Sequence, residues 1–255
     1  MKRISLILLM SAALPAAQEI VNADRVAHVL VLKEVYLNGQ GPFRMMVDTG
    51  AASCMIRPSV AKRLGLRPTY DVEHESLGGA KRVPAALLDE LRIGAIRNQG
   101  IEIIIADVSL PDVDGVLGQS WLLQHDYLLD YRGRRLVIDP MEPERGIREA
   151  LRSSDGRPEI EVDVDGCRQE LIVDSGASIL VLFGQSPLAG QATLFTNGGS
   201  LEAGTGRARV MIGTRYTRLL PAAKVNASTT KGLLPAVAFA SVYISNRNGV
   251  VVLVP

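Results

Sequence analysis

An internal repeat constrains this chain more than any other feature. Residues 35–53 read VYLNGQGPFRMMVDTGAAS, and residues 162–178 read VDVDGCRQELIVDSGAS. Each holds a strand-like run, a tight Asn38-Gly39 or Asp165-Gly166 turn, a second strand closing on Val-Asp, and a glycine. Both turn dipeptides tolerate the left-handed backbone that two-residue hairpin loops require. Asp48 and Asp174 are therefore expected where the second strand of a hairpin ends. The parallel continues through Gly78-Gly79 and Gly198-Gly199, then LRIG (91–94) and VMIG (210–213), then GVLG (115–118) and GLLP (232–235). A closing strand is expected at 135–138 in one half and 250–254 in the other. Landmarks recurring in one order describe one supersecondary unit used twice.

Composition fits that reading. Aromatic residues make up only 4%, so the apolar load rests on Val, Ile, Leu and Ala, interrupted by 24 Gly and 13 Pro. That mixture favours short strands and tight turns over long helices. Helical signals are confined to 59–64 with Gly65 behind it, and to 118–124. The charged stretch 143–154 reads as a linker or a solvated helix between halves. The expectation is an all-β chain with an N-terminal lobe at 18–150 and a C-terminal lobe at 151–255.

Lys2 and Arg3 precede an apolar run at 4–10, and small residues follow through Ala17. A charged start, a short apolar stretch and small residues are the parts of a secretory signal, which assigns 1–17 to a leader. The run is too short to span a bilayer as a helix. Cleavage fits after Ala13 or Ala17, and a periplasmic or secreted location is expected. In that oxidising setting Cys54 and Cys167 are either two unpaired thiols, one of them buried, or a disulfide. With 28 basic and 27 acidic residues the net charge is +1, which offers no surface for nucleic acid or anionic membrane.

Other chemistries find no pattern. His28, His74 and His125 form no HExxH and read as loop or solvent positions, and no Cys/His spacing suits zinc. Asp107, Asp112 and Asp114 lack the loop glycine and terminal glutamate of a calcium hand. No GxSxG elbow is present. Trp121 reads as core. Neither a metal nor a cofactor is expected.

A single Asp-Thr-Gly or Asp-Ser-Gly is an ordinary turn with a side-chain hydrogen bond. Two copies, 126 residues apart and each behind an apolar strand, are not ordinary. With VDTGAASCMIRPSVAKRLGL, the Gly78 pair and DGVLGQSWL in one half, and VDSGAS and the Gly198 pair in the other, the sequence resembles the retropepsin-like aspartic proteases. The resemblance covers nearly all of the first half and less of the second. It implies one small closed β-barrel per half, with the active site where the halves meet.

It further implies that Asp48 and Asp174 form a catalytic pair in an aspartic endopeptidase. One carboxylate takes a proton from water while the other, protonated, serves the scissile carbonyl. Carboxylates a few Å apart cannot both ionise readily and share one proton. By the same resemblance Thr49 and Ser175 cross-link the two loops, and Gly50 and Gly176 permit close packing and offer amides to the carboxylates. Ala51 and Ala177 supply no hydroxyl partner, so the pair is expected to be less acidic than in pepsin-like relatives. Gly78, Gly79, Gly198 and Gly199 fall where the family places substrate-binding flaps, and residues 116–118 where a strand supports the catalytic loop. The substrate would be a peptide or protein, and the enzyme a monomer acting as an intramolecular pseudo-dimer.

Pro235 departs from the pattern, standing where the first half has Gly118. Without an amide hydrogen, it predicts a rearranged second support. Two other readings stay open on sequence: a non-catalytic peptide-binding protein using the same cleft, and a homodimer pairing Asp48 with a neighbour's Asp48.

Overall fold

The structure, a computed structural model, describes residues 18–76, 79–184, 188–196, 199–214, 216–226 and 231–255. The expected leader at 1–17, together with Gly78 and Gly198, lies outside the described residues. Nearly all regular structure is β, as the Val- and Ile-rich composition predicts.

The repeat is visible in the strand order itself. In the second half the order is Glu159–Val164, Cys167–Asp174, Gly232–Pro235, Leu180–Phe183, Tyr216–Val225, Gly199–Ile212, Gly190–Thr196. In the first half the matching order is Val29–Leu37, Gln40–Val47, Gly115–Leu117, Cys54–Ile56, Ile101–Ile105, Gly79–Leu88, Tyr70–Ser76. Both halves place their parallel pairings at the same two steps of this order. In the second half the long strand Gly199–Ile212 also reaches Glu159–Val164, which closes a barrel. The first half achieves the same closure with a broken strand. Gly79–Leu88 stops, and the next segment, Leu91–Ile93, pairs with Val29–Leu37.

Alternation along the strands decides what faces inward. Phe43, Met45 and Val47 point into one large apolar cluster, while Met46 turns to a smaller cluster with Val29, Met55 and Val116. Side chains two apart share a face, so Asp48 emerges on the side of Met46 and not in the barrel core. Leu171 and Val173 enter the large cluster in the same way, leaving Asp174 beside Ile172. That cluster runs through both halves.

A shared sheet ties the halves together. The hairpin Tyr127–Asp130 and Arg135–Ile138 pairs antiparallel with the C-terminal hairpin Ser241–Ser245 and Val250–Val254, through Tyr127↔Ile244 and Asp130↔Ser241. Glu19–Val26 adds at one edge and Ile147–Ala150 at the other. The C-terminal hairpin is thus bonded to strands of the first half. The stretch read as linker or solvated helix contains that edge strand instead. Residues 147–150 alternate half-buried and exposed and dock on the hydrophobic Val250–Val254. Adjacent charges at Arg148 and Glu149 are tolerated on an edge strand, and they are what misled the sequence reading.

The two short helices form where expected. Pro58–Leu64 starts with a proline at its first turn and ends on Gly65 in the left-handed conformation (φ 68°). Gln119–Leu122 follows Gly118. Trp121 is fully buried and donates Nε1–H to Asn98 Oδ1 at 2.8 Å. Both cysteines are free thiols, Cys54 buried and Cys167 exposed.

Candidate active site

Each acidic loop leaves its strand at the seam between halves. Asp48 and Asp174 are 8% and 6% exposed, low values for carboxylates, and both line one cleft of about 250 Å³. Below them the neighbouring hydroxyls cross over. Thr49 Oγ1 donates to Val173 O (2.6 Å) and accepts from Ser175 N–H (2.9 Å). In mirror fashion Ser175 Oγ donates to Val47 O (2.8 Å) and accepts from Thr49 N–H (3.0 Å). Four buried backbone groups from two distant segments are satisfied by two hydroxyls. Leaving any one unpaired would cost about 1–3 kcal/mol, so the loops are locked at one separation.

The glycines hold the carboxylates face to face. Gly50 N–H donates to Asp48 Oδ1 (3.0 Å), and Gly176 N–H to Asp174 Oδ1 (2.7 Å). A Cβ added at Gly50 would lie 2.5 Å from Asp174 Cγ, and one at Gly176 would lie 2.7 Å from both Asp48 oxygens. Each glycine therefore makes room for the carboxylate of the opposite half, which is a stronger demand than the turn alone makes.

Electrostatics follow from this proximity. Burial, then the charge of Asp174 and a hydrogen bond with it, push the Asp48 carboxyl well above the usual carboxylate range. Burial raises Asp174 too, opposed by the Gly176 amide, the hydrogen bond with Asp48, the Ala177 amide and the nearby His28. The two titrate as one unit.

Supporting segments run beneath both loops. Gly115–Leu117 lies parallel to residues 45–47, and Asp48 N–H donates to Leu117 O (3.0 Å). Gln119 Nε2 reaches Thr49 O at 2.7 Å. The second support is not rearranged as Pro235 predicted. Gly232–Pro235 keeps the parallel ladder, with Asp174 opposite Pro235. The reason is a matched exchange. In the first half the Gly118 amide meets Cys54 Sγ at 3.4 Å. The residue six places after the second aspartate, as Cys54 is after the first, is Leu180, which offers no acceptor. There a proline with no donor leaves nothing unsatisfied. Only the following turn differs, a 3₁₀ turn at Ala236–Ala238 replacing the helix.

Two hairpins flank the cleft. Tyr70–Ser76 and Gly79–Leu88 close through Ser76↔Gly79, and Gly190–Thr196 and Gly199–Ile212 through Thr196↔Gly199. Gly79 and Gly199 thus sit at the first paired position after each turn. His74, Glu75 and Leu194 from these hairpins line the cleft.

Sequence reading missed His28. It belongs to the turn joining Glu19–Val26 to Val29–Leu37, and its Nε2 lies 2.8 Å from Gly176 O, inside the cleft. Arg157, which also lines the cleft, stands 17 residues before Asp174 as His28 stands 20 before Asp48. That recurrence of a basic residue ahead of each first strand was the available signal. His125, read as a loop or solvent position, is buried against Trp121 and faces Asp139.

The arrangement defines a class: paired carboxylates at the seam of a duplicated β-barrel unit. Residues 33–121 match the family model described as aspartyl protease. Among solved structures, a retropepsin-like aspartic protease from Rickettsia conorii aligns at 20% identity. It covers 48% of this chain and 89% of its own, with a TM-score of 0.39. No curated protein matches the sequence.

Proposed function

We propose that the chain is an aspartic endopeptidase in which Asp48 and Asp174, one from each lobe, activate water for peptide hydrolysis. The observation that carries this reading is the reciprocal seat of the carboxylates: each is held by its own glycine amide and faces the opposite glycine across a crossed hydroxyl bridge. Binding a peptide needs no such pair. Burial of both groups favours a single shared proton. With both groups raised and titrating as one unit, one carboxyl keeps the proton while the other is ionised. The ionised member takes a proton from water as the water attacks the scissile carbonyl, and the protonated member gives its proton to the carbonyl oxygen.

An extended peptide would lie along the cleft as an added strand, between hairpins carrying Gly78-Gly79 and Gly198-Gly199. Because one chain supplies both carboxylates, the working unit is a monomer with lobes at 18–150 and 151–255, bridged by the shared sheet. Export of the chain, with removal of residues 1–17, is part of the same proposal and is checked by N-terminal sequencing of the exported protein.

The test is a peptide-library digest with the purified chain, with and without a pepstatin-type inhibitor, alongside Asp48→Asn and Asp174→Asn. Each variant should lose cleavage while keeping its cooperative thermal unfolding. Full activity in Asp174→Asn would overturn the single-chain pair in favour of a homodimer. Peptide binding without turnover at any pH would replace hydrolysis with a binding role.

A further inference from the structure

The catalytic cleft continues past His28, Ser178 and Ile179 into a second cavity of about 320 Å³. Its apolar wall includes Leu220, Pro221 and Pro235, and two guanidinium side chains line it from opposite halves of the molecule, Arg25 and Arg218. Both are exposed, and no acidic residue lines this cavity. Arg218 Nη1 donates to Ala238 O at 2.5 Å. Among the described residues, no carboxylate lies within ion-pair reach of either guanidinium.

Some arginines, such as Arg44, Arg97, Arg135 and Arg148, have a carboxylate partner, while others, such as Arg57 and Arg207, bond backbone carbonyls. At the other end of the cleft the cations are neutralised within the protein: Arg157 pairs with Asp155, and Lys231 with Glu159 and Glu170. Uncompensated positive charge is therefore concentrated at one end of an otherwise pseudo-symmetric cleft. Like charges converging on a partly apolar cavity repel each other unless an anion joins them, and a carboxylate accepting guanidinium N–H groups suits that position.

We infer that this cavity is a specificity subsite for a carboxylate of the bound peptide, an Asp or Glu side chain or the chain terminus. The inference rests on the endopeptidase reading for its substrate and on the unpaired arginines for its chemistry. Ser178 and Ile179 line both cavities, so the recognised group falls within a few residues of the cleaved bond, on one side only. Extended chain advances about 3.3 Å per residue with alternating side chains, so adjacent positions should not share the preference.

The experiment uses acetylated, amidated peptides with one glutamate moved stepwise to either side of the cleaved bond. Each is compared with its glutamine counterpart, and one series carries a free C-terminal acid. The expected result is a Glu-over-Gln ratio in kcat/KM of about tenfold at one position, shrinking as salt rises. Arg25→Ala and Arg218→Ala should each reduce that ratio, the pair should bring it to about one, and Arg218→Glu should transfer the preference to lysine. A preference that follows the free acid rather than glutamate identifies the chain terminus as the source. A flat ratio at every position, or one that survives the double substitution, overturns the subsite while leaving proteolysis intact. If no peptide is cleaved, the endopeptidase reading falls, and fluorescence anisotropy of the same peptides on Asp48→Asn protein decides the subsite alone. Charge-selective binding lost in the arginine variants supports it, and charge-blind or absent binding sinks it.

Discussion

Replacing Gly50 by alanine tests whether the glycines exist to admit the opposing carboxylate. The added methyl would sit 2.5 Å from Asp174 Cγ and 2.6 and 2.7 Å from its oxygens. Ordinary carbon–carbon contact begins at about 3.5 Å, so the Asp174 carboxyl must retreat by about 1 Å. That retreat works against the 2.7 Å bond from the Gly176 amide, which holds the carboxylate in place. Gly50 is not in the left-handed region, so alanine meets no backbone penalty there and the effect is confined to the carboxylate. Overpacking of this kind costs about 1–3 kcal/mol of stability, leaving a folded enzyme to assay. A displacement of about 1 Å in a reacting group lowers rate by about a hundredfold. Steady-state hydrolysis of a fluorogenic peptide should therefore show kcat/KM down by about that factor, carried by kcat. Gly176→Ala should act in the same direction through Asp48. Gly39→Ala, where a methyl meets open space, should cost only the strain of its φ of 73°. Retention of more than half the wild-type kcat/KM in Gly50→Ala would refute the reasoning.

Two further outcomes follow from the same geometry. Thr49→Val orphans Ser175 N–H and Val173 O, which are buried, and should lower stability by about 1–3 kcal/mol per group in urea unfolding; a change within about 0.5 kcal/mol would contradict the bridging role. Both carboxyls have folded values raised above the ordinary 3.8, so the contribution of the pair to stability is fully present below that pH and is lost as pH rises through the folded values. Asp48→Asn removes the titrating partner, so its melting temperature should gain on wild type as pH climbs from about 4 to neutrality; a gap that stays constant or narrows would count against a shared proton.

Much of the site was legible because its determinants are local. A strand that ends in Val-Asp, a following hydroxyl and then glycine are set by neighbours in the chain, and the repeat fixed which residues correspond. Period-two alternation placed Asp48 with Met46 and away from the core. The edge strand Ile147–Ala150 was not legible, because four residues with two adjacent charges become a strand only when Val250–Val254 arrives beside them. Pro235 was legible as a departure, but its consequence was not: proline is harmless there because Leu180, and not a thiol, holds the position that corresponds to Cys54.

By itself the sequence determined a twice-used hairpin unit, the two aspartates and the glycines that must accompany them, since turn chemistry and side-chain alternation act over a few residues. Tertiary structure alone decided that Thr49 and Ser175 exchange hydrogen bonds, that His28 enters the cleft beside Gly176, and that Arg25 and Arg218 line one cavity from opposite halves. Those contacts join segments more than a hundred residues apart. They form only when closed barrels and a shared sheet bring the segments together, and no local pattern encodes that approach.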